Sequence, residues 1–284
     1  MTKSQASKLR KYKTFKYYAS SILSLILGLV IIFPIFYAIC AAFKENAGFD
    51  GYPPKILPES FLHLDNFKYV LTETLIPRYM LNSLIIAVIA LVARILFSTL
   101  ASYAFAFFEF KGKNFLFFLI VGTMMIPSEA LLISNYLTVS KLGLLNTYAG
   151  ILCVYFVSAT QVFMFRQSFK TISGSLREAA YIDGCGDLQF YAQICMPVSK
   201  PVITALGLST FVNLWNTYLW PLLVTDKAEM RTIQVGITLL SNAETNSKGN
   251  VFAGVVLALV PMLFIFAFSQ RNMVHGISSG SVKG

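Results

Sequence analysis

Six long apolar runs constrain this chain more than any other feature; they fall at residues 18–43, 81–107, 115–132, 148–165, 202–224 and 251–269. At about 1.5 Å of rise per helical residue, each is long enough, or nearly so, to cross about 30 Å of hydrocarbon. Only 13% of the 284 residues are charged and 56% are hydrophobic, where a soluble domain carries about 25% charge. The pattern predicts an all-α integral membrane protein with six transmembrane helices. The loops between the runs leave no room for a soluble catalytic domain.

An even number of spans puts both termini on one side, and the distribution of Lys and Arg selects that side. Residues 1–17 carry Lys3, Lys8, Arg10, Lys11, Lys13 and Lys16. The loop after the second run adds Lys111 and Lys113, the loop after the fourth adds Arg166, Lys170, Arg177 and Lys200, and the tail adds Arg271 and Lys283. The other side has eight cations in longer loops, offset by eight acids. Positive charge marks the cytoplasm, so both ends are expected there, and the net charge of +10 is read as orientation rather than nucleic-acid binding. The first run exceeds the roughly 7–15 residues of a signal-peptide core and lacks an A-x-A-like exit, so it reads as an uncleaved span. The outer loop over 44–80, with Pro53, Pro54, Pro58 and Pro77, reads as an ordered external connection. Cys40, Cys153, Cys185 and Cys195 show no CxxC spacing and read as small buried hydrophobes, neither a disulfide framework nor a metal site.

One comparatively polar stretch, EAAYIDGCGDLQFYAQICMPVSKP over residues 178–201, separates the fourth and fifth runs. Its pattern is a short helix, a glycine turn and a second short helix. Ser175 and Glu178 have the spacing of an S-x-x-E capping box. Gly184-Cys185-Gly186 breaks the first helix, because glycine takes backbone angles that other residues avoid. Asp187 is placed to cap the second helix, and Pro197 and Pro201 to end it or open the next span.

This stretch resembles the cytoplasmic coupling motif of ATP-binding-cassette import permeases: EAA, three residues, G, nine residues, I, x, L, P. Glu178, Ala179, Ala180, Gly184, Ile194 and Pro197 match it, and Asp183 stands before the glycine. Met196 replaces the usual leucine with little change of volume. Further stretches resemble the maltose-type carbohydrate subfamily of these permeases, the inner-membrane components of binding-protein-dependent transport systems. They are Asn82-Ser83-Leu84, Ala101 through Ala106, Met125 through Ala130, Leu142 through Tyr148, Leu214-Trp215-Asn216, Leu219 through Leu222, and the glycine-spaced ending from Gly276 to Gly284. Arg94 and Arg177 depart from the family pattern, at positions where a small or apolar residue and an acid are usual.

The resemblance implies a type-I importer permease fold. A basic cytoplasmic tail (1–17) precedes a first span and external loop (18–70), a transmembrane core (71–270) holding the coupling helices (173–197), and a cytoplasmic tail (271–284). It implies a second, related permease, two ATPase subunits that hold ATP and Mg, and an external sugar-binding protein, with no cofactor or metal on this chain. The chain has no G-x-x-x-x-G-K-[ST] loop to cradle phosphate. In this reading Ala179 and Ala180 let the ATPase surface approach, Glu178 offers a charge, and Gly184 supplies the bend.

For a sugar path, Asn213 and Asn216 share a helix face at i, i+3, and Trp215 and Tyr218 offer rings for a sugar to stack on. The asparagines serve equally well as bridges between helices, and Trp220 fits an interfacial aromatic belt. Arg94, mid-span, must face protein or a cavity, with Glu129 a conceivable partner; both are candidate path residues, and a structural pairing of Arg94 with the second permease is the alternative. No histidine falls in a span, which disfavours an intramembrane enzyme. The near absence of ionisable mid-span residues and of internal repeats disfavours an ion-coupled transporter. An importer for a non-sugar solute stays open.

Overall fold

The structure, a computed structural model, describes residues 3–49, 55–243 and 247–280. The Pro53-Pro54 pair and the 281–284 ending lie outside the described residues. The helices, in chain order, are α1 (Lys3–Ala42), α2 (Asp65–Thr72), α3 (Ile76–Phe107), α4 (Lys113–Thr123), α5 (Leu132–Lys141), α6 (Tyr148–Leu152), α7 (Ala159–Lys170), α8 (Gly174–Ile182), α9 (Asp187–Phe190), α10 (Met196–Val198), α11 (Lys200–Trp215), α12 (Leu219–Val224), α13 (Ile233–Ala243) and α14 (Lys248–Gly280). Among the described residues there is no strand.

Three segments are long and apolar enough to cross a bilayer unbroken: Tyr17–Ala42, Ile76–Phe107 and Lys248–Phe268. The other expected spans are not straight rods. Residues 113–141 bend by 93° and residues 148–170 by 47°. The first bend is at Pro127, in extended backbone with ψ 133, where proline disfavours continuing the helix. The 202–224 run is two helices, α11 ending at Trp215 and α12 beginning at Leu219. A third bent pair, at 75°, joins Asp187–Val198 to α11. Counting each bent pair as one span gives up to six.

The described residues form two compact units: one holds those up to Glu73 with Leu240–Leu257, the other Thr74–Leu239 and those from Ala258 onward. In the first unit, Asn66 Nδ2 donates to the carbonyls of Ala42 and Lys44 at 2.9 and 2.8 Å, closing the free C-terminal end of α1. Lys44 is buried; its ammonium lies 5.5 and 5.3 Å from the rings of Tyr37 and Phe49 and bonds the Lys55 carbonyl. The connection that follows α1 is therefore ordered at its root.

In the second unit α3 packs along α7 and α11. Its contact face is small and polar: Ala87, Ala90, Ser98, Thr99 and Ser102 are buried. Small residues let helices approach where water supplies no hydrophobic drive. Ser102 Oγ donates to the Val162 carbonyl of α7 at 2.8 Å, and the hydroxyls of Thr99 and Tyr191 are 2.8 Å apart. The outward faces stay apolar, with Phe115, Phe118, Phe264 and Phe268 all exposed, as lipid-facing surface requires.

The stretch Leu142 through Tyr148 is a tight turn in which several residues have backbone tasks. Gly143 and Asn146 take φ of 67° and 58°, Thr147 caps α6 by accepting from Gly150 N at 3.1 Å, and Asn146 Oδ1 accepts from the amides of Asp226 and Lys227. Asn82, at 0% exposure, holds the same end: Nδ2 donates to the Glu229 and Arg231 carbonyls at 2.7 and 2.9 Å, and Oδ1 accepts from Tyr148 Oη at 2.7 Å. Ser83 Oγ accepts from the Ile233 amide that opens α13. Asn82→Leu strands all three partners and is expected to cost about 1–3 kcal/mol for each buried group left unpaired. The check is a lowered thermal unfolding midpoint and faster proteolysis at 225–232 in purified protein.

Candidate coupling site

The glycine turn forms as its sequence suggests. Gly184 has φ +82. Cys185 N donates to the Ala180 carbonyl at 2.9 Å and Gly184 N to the Tyr181 carbonyl at 3.0 Å, the two bonds of a Schellman end on α8. The cap at the other end differs from the S-x-x-E expectation. Ser173 is the N-cap, accepting from Leu176 N at 3.3 Å, while Ser175 only donates to Ser173 Oγ at 3.2 Å. The helix begins at Gly174, so Glu178 sits past its first turn, exposed and outside any capping box.

Asp187 does not cap α9 either. Gly186 is the cap, and its amide donates to Gln189 Oε1 at 3.0 Å. The Asp187 carboxylate points instead at two phenols: it accepts from Tyr103 Oη at 3.3 Å and, through a short bond, from Tyr181 Oη. Tyr103 also donates to the Asp187 carbonyl at 3.0 Å. Arg177 completes the network. Its Nη1 donates to the Phe107 carbonyl at the end of α3 at 2.9 Å, its Nε and Nη2 donate to Tyr181 Oη, and its guanidinium lies 5.2 Å from both the Phe107 and Tyr181 rings. The residue that departs from the family pattern thus fastens α8 to the last turn of α3.

Of the motif alanines, Ala179 is exposed but Ala180 is buried, packed with Tyr103, Phe165, Phe169, Phe190, Tyr191 and Cys195. Successive helical residues point about 100° apart, so the two alanines cannot both face a partner. Ala180 therefore seats α8 on its own chain, contrary to the sequence reading. Ile194 packs against the same cluster, while Asp183, Gly184 and Pro197 are exposed. Burial pushes the Cys195 thiol up to about 12, so it stays protonated and unreactive near neutral pH. Around the turn, Ile182 and Leu188 stand 86% and 76% exposed, with Leu176 and Tyr181 beside them. Composition does not announce that apolar tip on a polar segment.

The expected path residues divide. Asn213, Asn216 and Glu129 are exposed, and Tyr218 is half-buried. Asn216 Nδ2 donates to its own helix at Val212 O at 2.9 Å, while its Oδ1 accepts from Gln234 Nε2 at 3.1 Å. Trp215 is 1% exposed and stacked on Phe211 at 5.8 Å, so as folded it offers no ring to a sugar. Trp220 is buried too, donating through Nε1 to the Ile151 carbonyl at 3.1 Å, which corrects the interfacial reading. Arg94 is not paired with Glu129, which accepts from Ser128 Oγ. Its Nε donates to the Tyr155 carbonyl at 2.7 Å, where the helical hydrogen bonding of the fourth span is interrupted before α7. Sequence reasoning missed the buried Gln161, whose Nε2 bonds Thr210 Oγ1 and ties α7 to α11; a lone amide inside an apolar run was the available signal.

Over residues 95–279 the chain matches the family model described as binding-protein-dependent transport system inner membrane component. It belongs to that family. The inner membrane components it is similar to include the arabinooligosaccharides transport system permease protein of Halalkalibacterium halodurans, 34% identical over 91% of this chain and 93% of that one. The sn-glycerol-3-phosphate transport system permease protein of Brucella abortus is 35% identical over 90% and 94%. In fold, the chain is similar to one from a bacterial transporter involved in import of the acidic polysaccharide alginate, with TM-score 0.80, 23% identity, and 92% and 97% coverage. The chain is accordingly a multi-pass membrane subunit of a transport system, not an enzyme.

Two outcomes test this geometry. Gly184→Val forces a β-branched residue to φ +82 and is expected to destabilise the turn by about 1–2 kcal/mol, with Gly184→Asn milder; limited proteolysis at 182–188 checks it. In single-cysteine variants, maleimide should label the half-buried Cys185 in native membranes and reach Cys195 only after unfolding.

Proposed function

We propose that this chain is one permease half of an ATP-driven, binding-protein-dependent carbohydrate importer, and that α8, the Gly184 turn and α9 are the element an ATPase subunit grips. The observation that carries this reading is the exposed apolar tip, Ile182 and Leu188, on a frame bonded rigidly to α3 through Arg177, Tyr103 and Asp187. A large apolar pair outside the spans marks a partner surface. A partner that moves this tip would move α3 with it as a rigid body. ATP and Mg belong to two ATPase subunits beneath it, a second related permease completes the path, and an external binding protein delivers the solute. Six spans, with both termini and residues 173–197 in the cytoplasm, fit the Lys and Arg distribution.

The relatives' names support an oligosaccharide-sized cargo. Asn213, Asn216 and Tyr218, with Gln234 bonded to Asn216, form our candidate path lining, and Glu129 stays with them as an exposed carboxylate at the α4–α5 bend. Arg94 and Trp215 shape the wall without touching cargo. Amides suit sugar hydroxyls, whereas a phosphate favours Arg or Lys, and none of the four lining residues Asn213, Asn216, Tyr218 and Gln234 is cationic. The glycerol-phosphate relatives make an organophosphate the second reading.

Uptake of labelled arabino-oligosaccharides and of labelled glycerol phosphate, with and without this subunit, separates the two cargoes. Gly184→Trp should still insert in the membrane yet lose uptake and the stimulation of ATP hydrolysis by loaded binding protein. Normal uptake by that variant would sink docking at this turn.

A further inference from the structure

A polar hollow lies in the second unit, apart from the coupling turn. It opens where α3 ends, α4 begins and α7 runs past, with a volume of about 400 Å³. Lys113, Arg166 and Lys170 line it against one carboxylate, Glu109. Glu109 is already taken, because Lys113 Nζ bonds it at 2.9 Å and also donates to the Phe108 carbonyl at 2.7 Å. Two cations are left over. Arg166 is held in place by an Nε bond to the Phe105 carbonyl at 3.2 Å and by the Phe117 ring 4.0 Å from its guanidinium carbon. Among the described residues, nothing bonds its terminal nitrogens or the ammonium of Lys170. The two residues are i, i+4 on α7, so they face the same way.

This hollow has an apolar continuation. Phe110 and Phe115 stand at its edge, and from there α4 presents Phe115 and Phe118 at 65% and 73% exposure, with Leu116 and Leu119 also exposed. A ligand matching both surfaces needs an anionic head that accepts hydrogen bonds from Arg and Lys, joined to a long apolar tail. A soluble anion would use only the head site. We propose that the hollow binds the phosphate headgroup of an anionic phospholipid whose acyl chains run along α4. The proposal rests on α4 lying in the bilayer, and it is independent of what cargo is carried. Because Lys170 lies four residues before the start of α8, a lipid held there steadies the strand of chain that feeds the coupling turn.

The test uses the purified, assembled transporter in detergent. Phosphatidylglycerol, phosphatidylcholine and inorganic phosphate are added separately, and retained ligand is read by native mass spectrometry alongside the thermal unfolding midpoint. Wild type should retain phosphatidylglycerol and be stabilised by it, and phosphatidylcholine should do neither. Lys170→Gln, at an exposed position that bonds nothing here, should weaken retention roughly fivefold, and Lys170→Arg should restore it. Lys111→Gln removes the same charge outside the hollow and should change nothing. Equal retention of phosphatidylcholine, an equal loss in Lys111→Gln, no loss in Lys170→Gln, or stabilisation by inorganic phosphate alone would each overturn the proposal.

Discussion

The interior of a bilayer offers no partner to a backbone N–H or C=O, and much of this chain follows from how it meets that constraint where its helices break. Unbroken helices satisfy themselves. The bent spans do not, and near two breaks a side chain takes up a carbonyl that the helix leaves free. Arg94 takes the Tyr155 carbonyl before α7, and Trp220 takes the Ile151 carbonyl where α6 tightens. Asn82 and Asn146 perform the same service for the turns around 225–232. The breaks are affordable because polar side chains converge on them, and those side chains are held in place by the breaks.

The same logic gives the coupling turn its stiffness. A short helix pair has little to hold it, since a helix of a single turn is unstable alone. Here the pair is fixed from behind by an aromatic cluster of Tyr103, Phe107, Phe169, Phe190 and Tyr191, and from the side by the Arg177–Tyr181–Asp187–Tyr103 bonds. The elements that touch α3 are buried and the tip is bare. In the proposed function, that division would carry a load applied at Ile182 and Leu188 to α3 rather than lose it in local bending.

Much of this was legible in the chain itself. The apolar runs announced helices in lipid, and the stretch from Glu178 to Pro197 announced two short helices and the glycine at the bend between them. What was misread shares one cause. Ser175 and Asp187 were assigned as caps because their type and spacing suit capping, but each competed with a neighbour one or two residues away, Ser173 and Gly186, and local chemistry alone does not rank them. Trp215 was read as a sugar platform because a ring in a span is apolar and flat, properties that suit a core stack on Phe211 equally well. Glu129 was a conceivable partner for Arg94 by charge, whereas a neutral carbonyl freed at a bend was the partner that geometry brought near.

The sequence by itself determined that this chain lives in a membrane, which family it resembles, and where its backbone must turn, because hydropathy, spacing and glycine's access to positive φ are properties of residues in order. Tertiary structure alone decided that Ala180 faces inward while Ala179 faces out, that Arg177 is fastened to the end of α3, and that Arg166 and Lys170 share a hollow with Lys113. Those facts depend on which helix lies against which, and contacts between residues far apart in the chain leave no local trace in it.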